Sequence, residues 1–223
     1  MPSEDDDFSA FLSLLVHELR TPANVVGGYL RMLQRDAEGL SERQRKMIDE
    51  AERSCQRLVA MLAELSEIQK LDADIIQLVQ EPFDLFPLVQ RIVDEMKKRE
   101  EFEVGIELRG PSEGAPIRGD AARLESALSG IFRAVLRELP PPATVVVNRQ
   151  IDARQKRSAV IAIAERGVLA DAHNDGGIAF DEKRGGLGLA VPLARRIVER
   201  HGGSIVSPEG QGRAIAIVRL PLG

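Results

Sequence analysis

The chain has 223 residues, which is enough for two small domains or one larger domain. Acidic and basic residues nearly balance, with a formal net charge of −5, and this excludes the strongly basic surface of a nucleic-acid binder. A single cysteine, Cys55, excludes an internal disulfide, and the small number of histidines argues against a zinc site. No apolar run approaches the roughly 20 residues that a membrane-spanning helix needs, and the acidic residues 3–7 are unlike the basic start of a signal peptide. These properties predict a cytoplasmic protein that makes no membrane contact of its own.

The first predicted helix carries a histidine on its outer face. At 100° per residue, the apolar residues form one stripe and His17 projects from the opposite side. Thr21, Asn24 and Gly28 follow His17 at i+4, i+7 and i+11, so they share its face. Leu14 adds an apolar side chain one turn before His17, and a small, partly apolar face suits the docking of a partner protein. The apolar stripe comprises Leu12, Leu15, Val16, Leu19, Val26, Leu30 and Leu33.

The residues around His17 favour phosphoryl chemistry. Neutral imidazole is nucleophilic near pH 7, and Glu18 is placed to orient one ring nitrogen, or accept its proton, while the other nitrogen attacks phosphorus. Thr21 is placed to position a water molecule for the reverse hydrolysis, and Pro22 to bend the helix just past the site. The alternative is an ordinary solvated surface histidine, which these neighbours make a less favoured interpretation.

Residues 17–22 read His-Glu-Leu-Arg-Thr-Pro and resemble the H-box of sensor histidine kinases. The resemblance implies that His17 is phosphorylated and passes the phosphoryl group to an aspartate of a response-regulator receiver domain. It also implies that Glu18 assists the transfer and that Thr21 supports dephosphorylation of the regulator.

The first half of the chain predicts two long helices, residues 8–36 and 41–71, joined by a short connection that contains Gly39. Residues 41–44 read Ser-Glu-Arg-Gln, which is the sequence of a capping box at the start of the second helix. One hairpin buries only one face of each helix, so we expect two chains to pair as a homodimer with a four-helix bundle. The apolar stripe of the second helix comprises Met47, Ile48, Ala51, Leu58, Leu62, Leu65 and Ile68.

Strands and helices alternate in the second half of the chain. This mixture predicts an α/β sandwich, in which helices cover one face of a mixed sheet. The whole chain is therefore expected to be of the α + α/β class, with the antiparallel helical hairpin in residues 1–74 and the sandwich in residues 75–223. The predicted strands are 75–79, 104–108, 143–151, 158–164 and 213–220, and the predicted helices are 87–98, 120–138 and 189–201.

A glycine-rich loop, residues 185–189, precedes the last predicted helix. Glycines at a helix N-terminus let backbone N–H groups approach a phosphate, and the helix dipole favours the anion. Gly186 and Gly188, with the helix after them and the closing Gly202-Gly203, resemble the second glycine box of the histidine kinase ATP-binding domain. Residues 119–124 resemble the entry to the N-box helix of that domain. The resemblance therefore implies an ATP site in which Gly186 and Gly188 contact the cofactor.

Two parts of this implied ATP site differ from the family pattern. The asparagine that holds Mg²⁺ in the family corresponds by register to Ala134, and Gly130 stands where an earlier asparagine is common. Neither side chain can ligate a cation, so the sequence identifies no metal ligand. The adenine-binding aspartate of the family corresponds to Glu165, followed by Gly167 as the remaining glycine of its box. Phe180 corresponds to the phenylalanine of the family's lid.

Three functions are compatible with this pattern. A working histidine kinase predicts ATP-dependent labelling of His17. A histidine phosphotransfer or phosphatase protein would keep His17, Glu18 and Thr21 but need little or no ATP, and the contrast between an intact first half and an altered second half favours it. A non-catalytic scaffold that docks regulators is the third possibility, and the H-box argues against it. We expect two-component phosphoryl transfer through His17, and whether ATP and Mg²⁺ take part stays open.

Overall fold

The computed structural model describes residues 4–36, 38–98, 104–139, 142–153, 157–167, 178–180, 188–207 and 215–223. The chain divides into two compact units, Met1–Ile76 and Gln77–Gly223. The first unit is a helical hairpin, and the second combines three helices with a six-stranded sheet. The predicted fold class, a hairpin followed by an α/β unit, is therefore confirmed.

The hairpin consists of α1, Glu4–Arg35, and α2, Glu42–Asp72. The predicted capping box begins α2: the Ser41 N–H donates to Gln44 Oε1 at 2.9 Å, and Ser41 Oγ accepts from the Gln44 N–H at 3.3 Å. Gly39 adopts a φ of 91°, which lies in the left-handed region that glycine enters without strain. The connection can therefore reverse the chain within a few residues.

A small cluster of apolar side chains holds α1 against α2. Val16, Ala23 and Leu62 are buried together, and Val59 and Leu65 pack against them from α2. Because this cluster is narrow, it covers only one edge of each predicted apolar stripe. In the single chain the following stripe residues stay exposed: Leu15, Leu19, Val26, Leu33, Met47 and Leu58.

The second unit contains α3, Leu85–Lys97, α4, Ala121–Glu138, and α5, Ala190–Arg200. Six strands form one sheet in the order β2-β4-β5-β8-β7-β6, in which only the β2–β4 pair is parallel. The short strands β1 and β3 pair separately and are antiparallel. The strands are β1 Glu81–Asp84, β2 Gly105–Arg109, β3 Pro116–Gly119, β4 Thr144–Asp152, β5 Ser158–Glu165, β6 Ile178–Ala179, β7 Ser204–Ser207 and β8 Ile215–Pro221.

The predicted strand at 75–79 is wrong, because its backbone donors are used elsewhere. The N–H groups of Ile75 and Ile76 bond back to the carbonyl of Lys70, at 2.9 and 3.3 Å, and extend the end of α2. The N–H of Val79 donates to an Asp120 carboxylate oxygen at 3.4 Å. The segment therefore has no neighbouring strand, and the first strand begins only at residue 81.

Strand β5 lies in the middle of the sheet and is apolar from Ala159 to Ala164. Six consecutive residues of β5, 159–164, are buried, as expected for a strand that is covered on both faces. On one face, Ile163 and Val147 of β4 meet side chains of α3 and α4, including Val93 and Phe132. This layer of helices on strands holds α4 and α5 in fixed positions over the sheet.

A buried arginine ties β4 to the start of α3. The Arg149 guanidinium donates to the carbonyls of Phe86 at 3.1 Å, Arg109 at 3.4 Å and Gly110 at 3.4 Å, and it lies 5.9 Å from the centre of the Phe86 ring. Burial lowers the pKa of Arg149, and the nearby Asp84 carboxylate opposes that shift. Arginine stays charged despite this effect, so three backbone carbonyls are satisfied by one cation.

A histidine joins the start of α4 to the end of α5. His201 Nδ1 lies 2.6 Å from the carbonyl of Ile197, so Nδ1 carries the proton and Nε2 accepts from the Asp120 N–H at 2.9 Å. Asp120 in turn caps α4, accepting from the Arg123 N–H at 3.1 Å. Gly119 is required here, because a Cβ at that position would lie 2.4 Å from His201 Cδ2. The two helices are therefore fixed to each other through one imidazole ring.

Candidate functional site

His17 lies on the solvent side of α1, as predicted. Its side chain is 77% exposed, and Nδ1 lies 3.4 Å from Glu18 Oε1. A contact this long between exposed groups adds little stability, but it leaves Nε2 free towards solvent when Nδ1 carries the proton. Pro22 lies inside α1 and lacks an N–H, so the carbonyl of Glu18 loses its helical donor one turn later. The geometry presents one imidazole nitrogen as a nucleophile and a carboxylate beside the other.

The other predicted residues of the first unit share this exposed surface. Thr21 and Asn24 are exposed on α1, and Leu14 is 60% exposed. A Cβ added at Gly28 would meet no atom within 4 Å, so the surface beyond the histidine is open. A partner that approaches His17 would find these residues on the same side of the helix. Their roles in catalysis and docking stay predictions.

The exposed apolar surface beside His17 is larger than the sequence analysis indicated. Val25, Tyr29 and Met32 are all more than half exposed. At 100° per residue, Met32 falls at the same angle as Leu14, and Val25 lies about 20° away. Their position at the helical angle of Leu14 could therefore have identified Val25 and Met32 from the sequence. Together they extend an apolar strip along α1, separate from the stripe that faces α2.

An open groove runs between α1 and α2 next to Asn24. It has a volume of about 270 Å³ and is lined by small residues together with a thiol and a guanidinium group. Cys55 Sγ donates to the carbonyl of Ala23 at 3.2 Å, and a Cβ on Gly27 would lie 3.2 Å from that sulfur. Cys55 is a free, partly buried thiol. The lining residues are Ala23, Asn24, Gly27, Arg31, Cys55, Gln56, Val59, Ala60 and Ala63.

The described cofactor-binding candidates of the second unit lie at the end of β5, in the turn after it, and just before α5. Glu165 is exposed at the end of β5, and a Cβ at Gly167 would meet no atom within 4 Å. Gly188 has a φ of 68° just before α5, and the N-cap residue, Leu189, makes no side-chain hydrogen bond to the helix. Gly186 lies outside the described residues.

The predicted lid residue Phe180 is buried, with 1% of its surface exposed. It follows β6 at the edge of the sheet, and its carbonyl accepts a hydrogen bond from the Arg195 guanidinium of α5. Phe180 is therefore part of the core of the second unit. The resemblance to the family had implied that Phe180 belongs to the lid of the ATP site.

Residues 9–74 match the model of the His Kinase A (phospho-acceptor) domain family. The chain is 26% identical over 222 residues to the circadian input-output histidine kinase CikA of Synechococcus elongatus, covering 93% of this chain and 29% of CikA. It is 27% identical over 209 residues to the sensor protein DivL of Caulobacter vibrioides, covering 91% of this chain and 26% of DivL. Over more than nine tenths of its length the chain is therefore similar to sensor histidine kinases, and residues 9–74 match their phospho-acceptor domain.

Two solved structures have the same architecture as this chain. Full-length ShkA in complex with AMPPNP matches with a TM-score of 0.68 and 20% identity, covering 96% of this chain and 46% of ShkA. The histidine kinase AdeS of Acinetobacter baumannii matches with a TM-score of 0.60 and 19% identity, covering 93% of this chain and 98% of that structure. At these identities the likeness shows the fold. Among the described residues, no helix is long and apolar enough to span a bilayer.

The fold of a histidine kinase core implies a site for ATP and Mg²⁺, and the described residues fit only part of it. Leu189 gives the first turn of α5 no side-chain hydrogen bond, and backbone N–H groups at a helix N-terminus suit a phosphate. On α4, a Cβ at Gly130 would lie 3.5 Å from the carbonyl oxygen of Ala190, so this face of α4 is directed at the start of α5. Ala134 follows one turn later and is completely buried. The described residues hold no group of three or more His, Cys, Asp and Glu side chains that could bind a metal.

Proposed function

We propose that this histidine kinase core transfers a phosphoryl group between His17 and an aspartate of a response-regulator receiver domain. The observation that carries the proposal is the exposed His17 imidazole with Nδ1 beside the Glu18 carboxylate. The match of residues 9–74 to a phospho-acceptor domain supports the same assignment. The chain spans only about a quarter of CikA and DivL, so its activity and partner are inferred from the site itself.

The transfer follows from the protonation pattern of the ring. With Nδ1 protonated, the Nε2 lone pair of phosphorylated His17 carries the phosphoryl group as a P–N bond. The receiver carboxylate attacks phosphorus, a P–O bond forms, and the electron pair of the P–N bond returns to Nε2. Glu18, which lies 3.4 Å from Nδ1, balances the positive charge of the protonated phosphorylated ring until the departing imidazole becomes neutral. The histidine therefore acts as a nucleophile in one direction and as a leaving group in the other.

We propose that the receiver docks on the face of α1 that carries Leu14, Asn24 and Gly28. These positions lie on the same side as His17, and Val25 and Met32 enlarge the apolar part of this surface. Thr21, one turn beyond the histidine, is placed to orient a water molecule for hydrolysis of the phosphorylated receiver. The surface thus combines a phosphoryl acceptor, a hydroxyl and an apolar contact area.

We further propose that the chain works as a homodimer. Leu15, Leu19 and Val26 of α1 stay exposed in the single chain, although they belong to the predicted apolar stripe. Pairing two hairpins into a four-helix bundle would cover these side chains, together with Met47 and Leu58 of α2. We place this dimer in the cytoplasm, a reducing compartment with which the single free thiol of the described residues is compatible.

The test is phosphotransfer between the full chain and a panel of receiver domains labelled beforehand with [³²P]acetyl phosphate. We expect label to appear on the wild-type chain with at least one receiver and not on His17→Gln. The His17→Gln chain should keep its dimer in analytical ultracentrifugation, because His17 faces away from the apolar stripe. Transfer to the His17→Gln chain, or no exchange with any receiver, would contradict the proposed function. Loss of the dimer in that variant would contradict the placement of His17.

A further inference from the structure

We infer that His17 receives its phosphoryl group from an acyl phosphate on a partner protein, and that the second unit does not supply it from ATP and Mg²⁺. This inference rests on the proposed function, because it names the donor for the same histidine. Its structural basis lies entirely in the second unit, at the junction of α4 and α5.

Among the three described helices of the second unit, α5 alone has an N-terminus without a side-chain cap. Asp84 caps α3 and Asp120 caps α4, each by accepting from a backbone N–H, whereas Leu189 offers α5 no such bond. A phosphate placed there would be bound by N–H groups and the helix dipole. A metal ion that neutralises this phosphate would need oxygen ligands from the nearest element, which is α4.

At the contact of α4 with α5, no side-chain oxygen comes from the two residues that lie there. Gly130 approaches Ala190 closely, and Ala134 places a methyl group on the same face one turn later. Among the carboxylates of α4 and its cap, Glu138 lies at the C-terminal end of the helix, eight residues beyond Gly130 and about 12 Å further along the axis. Glu125 pairs with Arg91 of α3 at 3.1 Å, and Asp120 is held by Arg123 at 3.3 Å.

Phosphoryl transfer from ATP depends on a metal that bridges the phosphate oxygens and neutralises charge in the transition state. Without an oxygen ligand from α4, the described part of the site does not provide this charge neutralisation by a metal. Transfer from an acyl phosphate does not require a metal site in the second unit, because the carboxylate of the donor is a good leaving group. The His17 Nε2 lone pair attacks phosphorus, a P–N bond forms, the P–O bond breaks, and the electron pair leaves on the carboxylate. The Glu18 carboxylate beside Nδ1 balances the positive charge that the ring gains when the P–N bond forms.

The inferred reaction sequence therefore has receiver domains on both sides of His17. One phosphorylated receiver loads the histidine and a second receiver unloads it, so the chain relays phosphoryl groups without generating them. Loading breaks a P–O bond and forms a P–N bond, and unloading breaks the P–N bond and forms a P–O bond. The hairpin alone carries this chemistry, and the second unit keeps its fold without a role as phosphoryl donor.

The experiment compares two donors on the full chain. [γ-³²P]ATP with Mg²⁺ is one donor, and the receiver that exchanges label with His17 is the other. We expect wild type to be labelled by the receiver but to show no label from ATP above the His17→Gln background. Labelling from ATP that requires Mg²⁺ would overturn the inference and leave the proposed function intact. Failure of every receiver to exchange label would instead overturn the proposed function, and this inference with it.

A gain-of-binding variant tests whether α4 is the cause. Gly130→Asn with Ala134→Asn returns two amide oxygens to the face beside α5, and Gly130→Asn with Ala134→Leu is the matched control with one oxygen fewer. In calorimetry with ATP, we expect Mg²⁺-dependent binding to appear in the double asparagine variant and to be weaker in the control. Mg²⁺-dependent binding of ATP by the wild-type chain would overturn the inference. This outcome can be read even if the buried substitutions unfold the variants. Equal binding by the two folded variants would also overturn the role assigned to position 134.

Discussion

The two units of the chain differ in how completely each buries its own apolar side chains. The described part of the second unit exposes Val79 alone among its large apolar side chains, whereas the hairpin exposes more than ten. The hairpin also carries the exposed histidine, whereas Gly130 and Ala134 of the second unit bring no side-chain oxygen to the junction of α4 and α5. The unit with the incomplete core thus carries the proposed phosphoryl acceptor. The unit with the complete core carries the residues that we expect to be unable to hold a metal.

This difference teaches that the fold of the second unit rests on contacts that do not involve a metal site. The core of the second unit depends on apolar residues of β5 and on the caps at Asp84, Asp120 and His201, none of which is needed to bind a metal. Substituting Gly130 and Ala134 at the junction leaves these contacts in place. The hairpin, in contrast, leaves much of its apolar stripe exposed in the single chain, so we expect its stability to depend on the proposed homodimer.

Removing the buried arginine should have the largest effect on stability, and this effect should be confined to the second unit. Arg149→Met leaves the carbonyls of Phe86, Arg109 and Gly110 without their donor, and we expect the second unit to lose about 2–4 kcal/mol of unfolding free energy. Hydrogen exchange should speed up in β4 and β5 but not in α1 and α2. The exposed Arg91→Met is the matched control and should change stability by less than about 0.5 kcal/mol. Equal destabilisation by both substitutions would contradict the role of Arg149.

Removing the Thr21 hydroxyl should have an intermediate effect and is confined to chemistry on the hairpin. We expect Thr21→Ala to slow dephosphorylation of the receiver by about tenfold, because a water-positioning hydroxyl is lost, and to change the transfer rate much less. The two rates can be measured separately with a labelled receiver. Thr21→Ser keeps the hydroxyl and should preserve both rates. An equal loss of both activities in Thr21→Ala would show that Thr21 acts on docking.

Removing the capping box should have the smallest effect and tests the local stability of the hairpin. Ser41→Ala leaves the N–H of Gln44 without its acceptor, and we expect a loss of about 1 kcal/mol in urea unfolding followed by helicity. Ser41→Asp supplies another acceptor and should restore most of the stability. A larger loss in the second unit than in the hairpin would contradict this assignment.

Much of the hairpin could be predicted from the sequence because its signals are local. The spacing of leucines, the box at Ser41 and Gln44, and the outward angle of His17 each depend on residues within a few turns. The extent of the exposed strip beside His17 was underestimated, since Val25 and Met32 were not placed on the same helical angle as Leu14. The same calculation would have found them.

The second unit was predicted less completely because its short strands depend on distant partners. Strand β1 contains Pro82, and β3 begins at Pro116, so neither segment has the composition of a strand. The run at 75–79 has that composition, but its N–H groups bond to Lys70 and Asp120. No local pattern reports such long-range hydrogen bonds. Burial of Phe180 was missed for the same reason, because its partner Arg195 lies on another element.

The contact between Gly119 and His201 has a consequence for how this sequence can change over generations. The imidazole fills the space that any other side chain at position 119 would occupy, 2.4 Å from the ring. A substitution at position 119 is therefore tolerated only in a lineage that has already replaced the ring, and the replacement at 201 must come first. A chimera that takes α5 from one relative and β3 from another should fold only when both positions come from the same parent.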